Sequence, residues 1–306
     1  MLNLFRAVLV WLAVLSAPAF ADRAFMVDAD WLAAEMKNPK LVVLEVRYHP
    51  HRYHTVGHIP GAVQVQRFKD LGDNNGRSIM LFPDRDTFQA TLRKWGVNND
   101  STIVLYDDSR SALTARVAYL LALYGFDMSR VKILDGGTQE WMGFNELTRD
   151  VPKVKPGKVT LKPADASMFV EWQQVYEDVL SRRDPNVVLV DARPADMYTG
   201  KVVRHAVQGG HIPGALNVVS LDATDGNSQK WFGEEELAAF YKDVPKDKTV
   251  YVYCHDGFRM SLGWLQMKSL GYKDVRVLDG GWGVWDRAFT LPVVQGDAPY
   301  DDEFAL

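Results

Sequence analysis

The stretch VYVYCHDGFRMS, residues 250–261, holds Cys254, the only cysteine among the chain's 306 residues. Strand-forming residues precede it, and MSLGWLQMKSL after it places Leu262, Trp264, Leu265 and Met267 as the apolar positions of a helix. Cys254 to Arg259 must then form the turn from a strand end to a helix start. Backbone N–H groups at a helix start lack intrahelical acceptors, and the helix dipole favours negative charge there. The setting is expected to lower the thiol pKa and to stabilise a nucleophilic thiolate or persulfide. Gly257 lets the turn curl without a side-chain penalty, and Arg259 offers a planar fork of donors to an oxyanion. A lone cysteine can equally be a packed core residue. The polar run of His255 and Asp256, then Gly257 and Arg259, favours the nucleophile.

The elements that hold this turn occur twice. LVVLEV (41–46), GHIPGAV (57–63), STIVLYDD (101–108) and VKILDGGTQEW (131–141) recur in the same order as NVVLVDA (186–192), GHIPGAL (210–216), KTVYVYCHD (248–256) and VRVLDGGWGVW (275–285). Glu45 answers Asp191, His58 answers His211, Asp107 answers Cys254 and Asp135 answers Asp279, at offsets of 144 to 153. The period is far longer than a solenoid unit, so these are duplicated domains. Short apolar strands alternate with helical patterns, such as Trp172, Val175, Tyr176 and Val179, or Leu237, Phe240 and Tyr241. That alternation predicts an α/β fold, each copy a mostly parallel sheet flanked by helices. VPKVKPGKVTLKP (151–163), with three prolines, a glycine and four lysines, reads as a linker. The domains are expected at 24–150 and 164–300.

Composition sets the outer limits. The chain is 47% hydrophobic and 24% charged, ordinary for a globular protein of about two domains. A net charge of −4 gives no basic excess for a nucleic acid. One cysteine excludes an internal disulfide and any multi-cysteine metal site. Residues 1–21 have Arg6, an apolar run over Ala7–Leu15, and Ala19 and Ala21 in an A-x-A pattern. They read as a secretory signal peptide, which predicts a periplasmic or secreted protein with no membrane attachment after cleavage.

In the GHIPGA turns, the strand ending in Asp191–Arg193, the LDGGW segment (Leu278–Trp282) and the loop CHDGFR, the chain resembles the tandem-domain sulfurtransferases of the rhodanese family. The resemblance covers nearly all of the sequence after residue 21. It implies two rhodanese-like domains, with the first catalytically silent because Asp107 stands at the cysteine position. It implies that Cys254 takes a sulfane sulfur from a small donor, thiosulfate or 3-mercaptopyruvate, and yields it to a thiol or cyanide. The N–H groups of residues 255–259 would hold the persulfide. His255, Asp256, Gly257, Phe258, Arg259 and Arg193 are the expected substrate-binding residues. No cofactor or metal is expected, and the protein is expected to be a monomer.

Two other readings stay open. A cysteine phosphatase shares the thiolate, the cradle and the arginine, but places five residues between cysteine and arginine. Here four intervene, and the smaller loop suits a single sulfur atom. A sulfur carrier or binding module would keep the fold without turnover. His58 and His211, in identical turns of both copies, are expected to be structural. Trp282 and Trp285 are expected to pack a helix on the sheet, and the GEEEL run (233–237) to begin a helix. Asp107, Asp108 and Arg110 are expected to form a polar cluster. Thiosulfate-specific relatives tend to have basic residues where this loop has His255 and Asp256. Met197 stands where tandem relatives commonly have an arginine. Arg193, Lys201 or Arg204 are the candidates to replace that cation.

Overall fold

The computed structural model describes residues 23–73 and 80–301. The expected signal peptide lies outside the described residues. Two five-stranded sheets repeat one topology. In the first, the strands are β1 (Met26–Val27), β2 (Leu41–Val46), β3 (Val63–Val65), β4 (Thr102–Asp107) and β5 (Val131–Leu134), in the order β1-β5-β4-β2-β3. In the second they are β6 (Phe169–Val170), β7 (Val187–Asp191), β8 (Ala215–Asn217), β9 (Thr249–Tyr253) and β10 (Val275–Leu278), in the order β6-β10-β9-β7-β8. Every pairing is parallel. Runs such as VYVY and VRVL are apolar on both sides because helices cover both faces of each sheet. The central strands β4 and β9 end at Asp107 and beside Cys254, at the carboxyl edge where open α/β sheets build their sites.

The helices after those strands, Ala112–Leu123 and Phe258–Ser269, pack against each other across the boundary between the copies. Every residue of Ala112–Leu123 except Ala122 is buried. Such all-round apolarity is what a helix needs when one face meets its own sheet and the other a second domain. Tyr119 meets Trp264 edge-on at 5.1 Å, and one buried apolar cluster runs through both copies. The LDGG aspartates act reciprocally. Asp279 accepts from the Phe82 N–H of the first copy (2.9 Å), and Asp135 accepts from the Trp231 N–H of the second (3.0 Å).

Segment 151–163 has neither helix nor strand, yet it is not a loose tether. Gly157 and Val159 donate backbone bonds to Arg93 and Val97, and Val159 and Leu161 are buried. It is strapped to the first domain. The expected helix around Val175 and Val179 also differs in detail: it starts as Trp172–Val175 and widens into a π-helix over Tyr176–Ser181. The wide turn includes Asp178, whose carboxylate accepts from the Tyr251 hydroxyl on β9 at 2.7 Å.

Candidate active site

Cys254 leaves the end of β9, and the Phe258–Ser269 helix begins four residues later. Gly257 is the pivot of this turn, with φ of +107°, a conformation that L side chains rarely adopt. Its N–H donates to Cys254 Sγ at 3.2 Å. The Met260 N–H also favours the ionised sulfur, so the cradle reaches one residue beyond the expected 255–259. Two further bonds fix the turn from behind. Trp282 N–H donates to the Cys254 carbonyl at 2.7 Å and Gly283 N–H to that of His255 at 3.1 Å. This explains the second glycine of LDGGW. Gly281 has φ of +53°, and a Cβ there would collide with the Cys254 carbonyl oxygen.

The thiol pKa does not move as the sequence suggested. Burial and then the Asp256 carboxylate push the Cys254 thiol up, while Met260 N–H, Arg259 and Gly257 N–H pull it down without prevailing. The sulfur has no exposed surface, and two amide donors do not offset the loss of its hydration. Burial lowers the pKa of His255, so its imidazole is neutral at pH 7.

A cleft of about 400 Å³ opens between the two copies over this turn. His255, Asp256, Phe258 and Arg259 line it, whereas Cys254 and Gly257, on the same turn, are buried. The second copy also contributes Met197, Arg204 and His205, and the first copy Tyr48, Arg67, Phe68, Asp108 and Arg110, among others. The Arg67 guanidinium lies 4.2 Å from the Tyr48 ring centroid, and Phe68 meets Phe258 edge-on at 6.2 Å. Of the candidates to replace a cation near Met197, Arg204 reaches the cleft and Lys201 does not. Arg67 and Arg110, from the cysteine-free copy, were not foreseen as cations lining this cleft.

Arg193 is misplaced by the sequence reading. It is buried, its guanidinium pairs with both Asp191 oxygens and donates to the Gly210 carbonyl, and it stacks 4.4 Å from the Trp282 ring centroid. It does not line the cleft. Arg47 in the first copy repeats the arrangement with Glu45 and the Gly57 carbonyl, away from any thiol. The pair is part of the fold. The two histidines are matched in the same way. His58 stacks on Tyr53 and His211 on Tyr198, both at 3.7 Å, and each ring nitrogen faces a backbone carbonyl.

In the first copy, Asp107 fills its own cradle. Its carboxylate accepts from the N–H groups of Ser109, Ser111, Leu113 and Thr114. The turn is one residue longer, and Arg110 and Ser111 take the left-handed conformation. Arg110 then donates to the Leu221 carbonyl of the second copy at 3.3 Å. Asp108 and Arg110 thus belong to the interdomain cleft, while Asp107 is buried behind it.

The same turn thus stands in both copies, with a thiol in only one. The family model for the rhodanese-like domain matches residues 28–143 and 176–288. This chain belongs to the rhodanese-like family. It is 33% identical over 93% of its length to a putative thiosulfate sulfurtransferase, SseA, of Mycobacterium bovis, covering 95% of that protein. It is 30% identical over 91% of its length to the sulfur carrier protein TtuD of Thermus thermophilus, covering 99% of it. Among solved structures, SseA of Escherichia coli, described as a 3-mercaptopyruvate sulfotransferase with the rhodanese fold, superposes with a TM-score of 0.73. The match has 26% identity and covers 84% of this chain and 98% of that one. The tandem architecture of this family is the one described above.

Proposed function

We propose that the protein is a sulfurtransferase that works through a persulfide on Cys254. The observation that carries the reading is the asymmetry between two otherwise matched turns. One cradle is occupied by its own carboxylate, and the other holds a thiol beneath an interdomain cleft. With thiosulfate as donor, the Cys254 thiolate attacks the sulfane sulfur; the sulfur–sulfur bond of the donor breaks and sulfite leaves with the electron pair. The acceptor, a thiolate or cyanide, then attacks the outer sulfur and the Cys254 thiolate departs. Gly257 and Met260 N–H groups favour negative charge on the sulfur in both halves. With His255 neutral, Arg259, Arg204, Arg67 and Arg110 supply the positive charge around an anionic donor such as thiosulfate or 3-mercaptopyruvate. A sulfur so fully enclosed favours a single added sulfur atom over a phosphate, which speaks against phosphatase chemistry.

The test is intact mass before and after exposure of the reduced protein to thiosulfate or 3-mercaptopyruvate. A gain of about 32 Da, reversed by cyanide and absent in Cys254→Ser, is the expected covalent intermediate; no gain with either donor overturns the reading. Multiple turnover with a small thiol separates an enzyme from a stoichiometric sulfur carrier. The A-x-A pattern ending at Ala21 supports export with cleavage after that residue. N-terminal sequencing of the protein from a periplasmic fraction checks this, and an intact residue 1 there refutes it.

A further inference from the structure

Arg116, on the Ala112–Leu123 helix of the cysteine-free copy, has no exposed surface. A buried guanidinium costs free energy unless it is paired and hydrogen-bonded. Its Nε and Nη2 donate to the Leu71 carbonyl, Nη2 also to that of Met80, and its Cζ lies 4.7 Å from the Phe82 ring centroid. Its Nη1 has no hydrogen-bond acceptor among the described residues. That atom points across the domain boundary: a Cβ built on Gly257 would lie 2.8 Å from it. Gly257 is the residue whose N–H meets Cys254 Sγ. The guanidinium of one copy therefore packs directly against the cysteine turn of the other.

We propose that Arg116 is a positioning residue for the Cys254 site, backing the Gly257 turn and stabilising negative charge on the sulfur. The cysteine-free domain then supplies a working part of the other domain's site. The proposal deepens the sulfur-transfer reading and rests on Cys254 as the reacting thiol. The groups that share this field are few. Asp256 and Arg259 lie on the turn itself; Arg193 follows β7 and Tyr253 ends β9; Asp279 follows β10; Tyr119 lies on the helix of Arg116 and Tyr124 just past its end. His255 is half-buried and neutral beside Asp256, with His205 and Asp286 beyond it. Asp279 is the counterion that competes with the sulfur for Arg116, and burial holds its carboxyl up at about 6 despite that arginine.

The measurement is the pH dependence of Cys254 alkylation by iodoacetamide, followed by intact mass on the full chain. Its midpoint reports the thiol's ionisation, whereas altered access moves only the plateau. Arg116→Met is expected to move the midpoint to higher pH and to slow alkylation severalfold at pH 8, since each unit is about tenfold in thiolate. Arg116→Lys should restore most of that loss. Asp279→Asn should move the midpoint the opposite way, because it leaves Arg116 to the sulfur alone. Should Arg116→Met fail to fold, the Lys and Asn variants decide. An unmoved or upward midpoint in Asp279→Asn, or an unmoved midpoint in a folded Arg116→Met, overturns the proposal. No sulfur donor enters this assay, so a wild-type protein that takes no sulfur would refute the transferase reading and leave this test standing.

Discussion

Gly281→Ala and Gly137→Ala are equivalent changes in the two copies, and their comparison isolates what the LDGG turn does for chemistry. Gly281 has φ of +53° and Gly137 φ of +55°; an added Cβ strikes the carbonyl oxygen of Cys254 in one case and of Asp107 in the other. Forcing a side chain into the left-handed region costs about 1–2 kcal/mol. Displacing a packed backbone oxygen adds about 1–3 kcal/mol. Each variant should lose about 2–5 kcal/mol, and with about 2–4 °C per kcal/mol for a chain somewhat smaller than this one, Tm should fall by roughly 4–20 °C. The chemistry should separate them. The bond from Trp282 N–H to the Cys254 carbonyl fixes the cradle, so Gly281→Ala should slow sulfur loading by about tenfold for each 1.4 kcal/mol of lost positioning. Gly137→Ala displaces only the Asp107 turn and should load at close to the normal rate at saturating donor. The assay is the rate of the 32 Da mass gain, beside thermal unfolding. Equal loss of loading in both variants, or none in Gly281→Ala, would refute this account of the turn.

Asp256→Asn removes a carboxylate that holds the Cys254 thiol up, so the midpoint of cysteine alkylation should move to lower pH and thiosulfate should load faster near neutrality. A midpoint that stays or rises contradicts the charge assignment. Arg193→Gln should act on stability: stranding the buried Asp191 carboxylate costs about 3–5 kcal/mol, and Arg47→Gln should cost a similar amount in the first copy. A folded Arg193→Gln with normal stability and a raised KM for donor would return Arg193 to the substrate site. Arg259→Ala should raise KM for anionic donors while leaving the alkylation plateau in place; unchanged kinetics with thiosulfate would remove its role.

The reactive turn was legible because its parts are contiguous: a strand, a cysteine, a glycine and an arginine within six residues. The repeat also carried more information than was drawn from it. His58 and His211 were read as structural because they recur in both copies, and the structure agrees. The same logic applied to Arg47 and Arg193, which follow matching strands, would have kept Arg193 out of the substrate site. Arg116 left only a faint mark, a lone charge inside the apolar run ALTARVAYLLAL. Nothing local says that this helix faces another domain, or that its arginine aims at a turn over a hundred residues away. The thiol's pKa was misjudged for a related reason. Motif and dipole can be read from neighbours in sequence, but the desolvation that outweighs them comes from the whole enclosure.

The reciprocal aspartate bonds bear on how the chain acquires its shape. Asp135 needs an amide that lies 96 residues further along, and the Ala112–Leu123 helix keeps an apolar face bare until its counterpart, Phe258–Ser269, exists. The first half, synthesised early, therefore leaves these contacts unmade until the second half is present. The interface is thus a late-made part of the core, shared by two halves that arrive at different times.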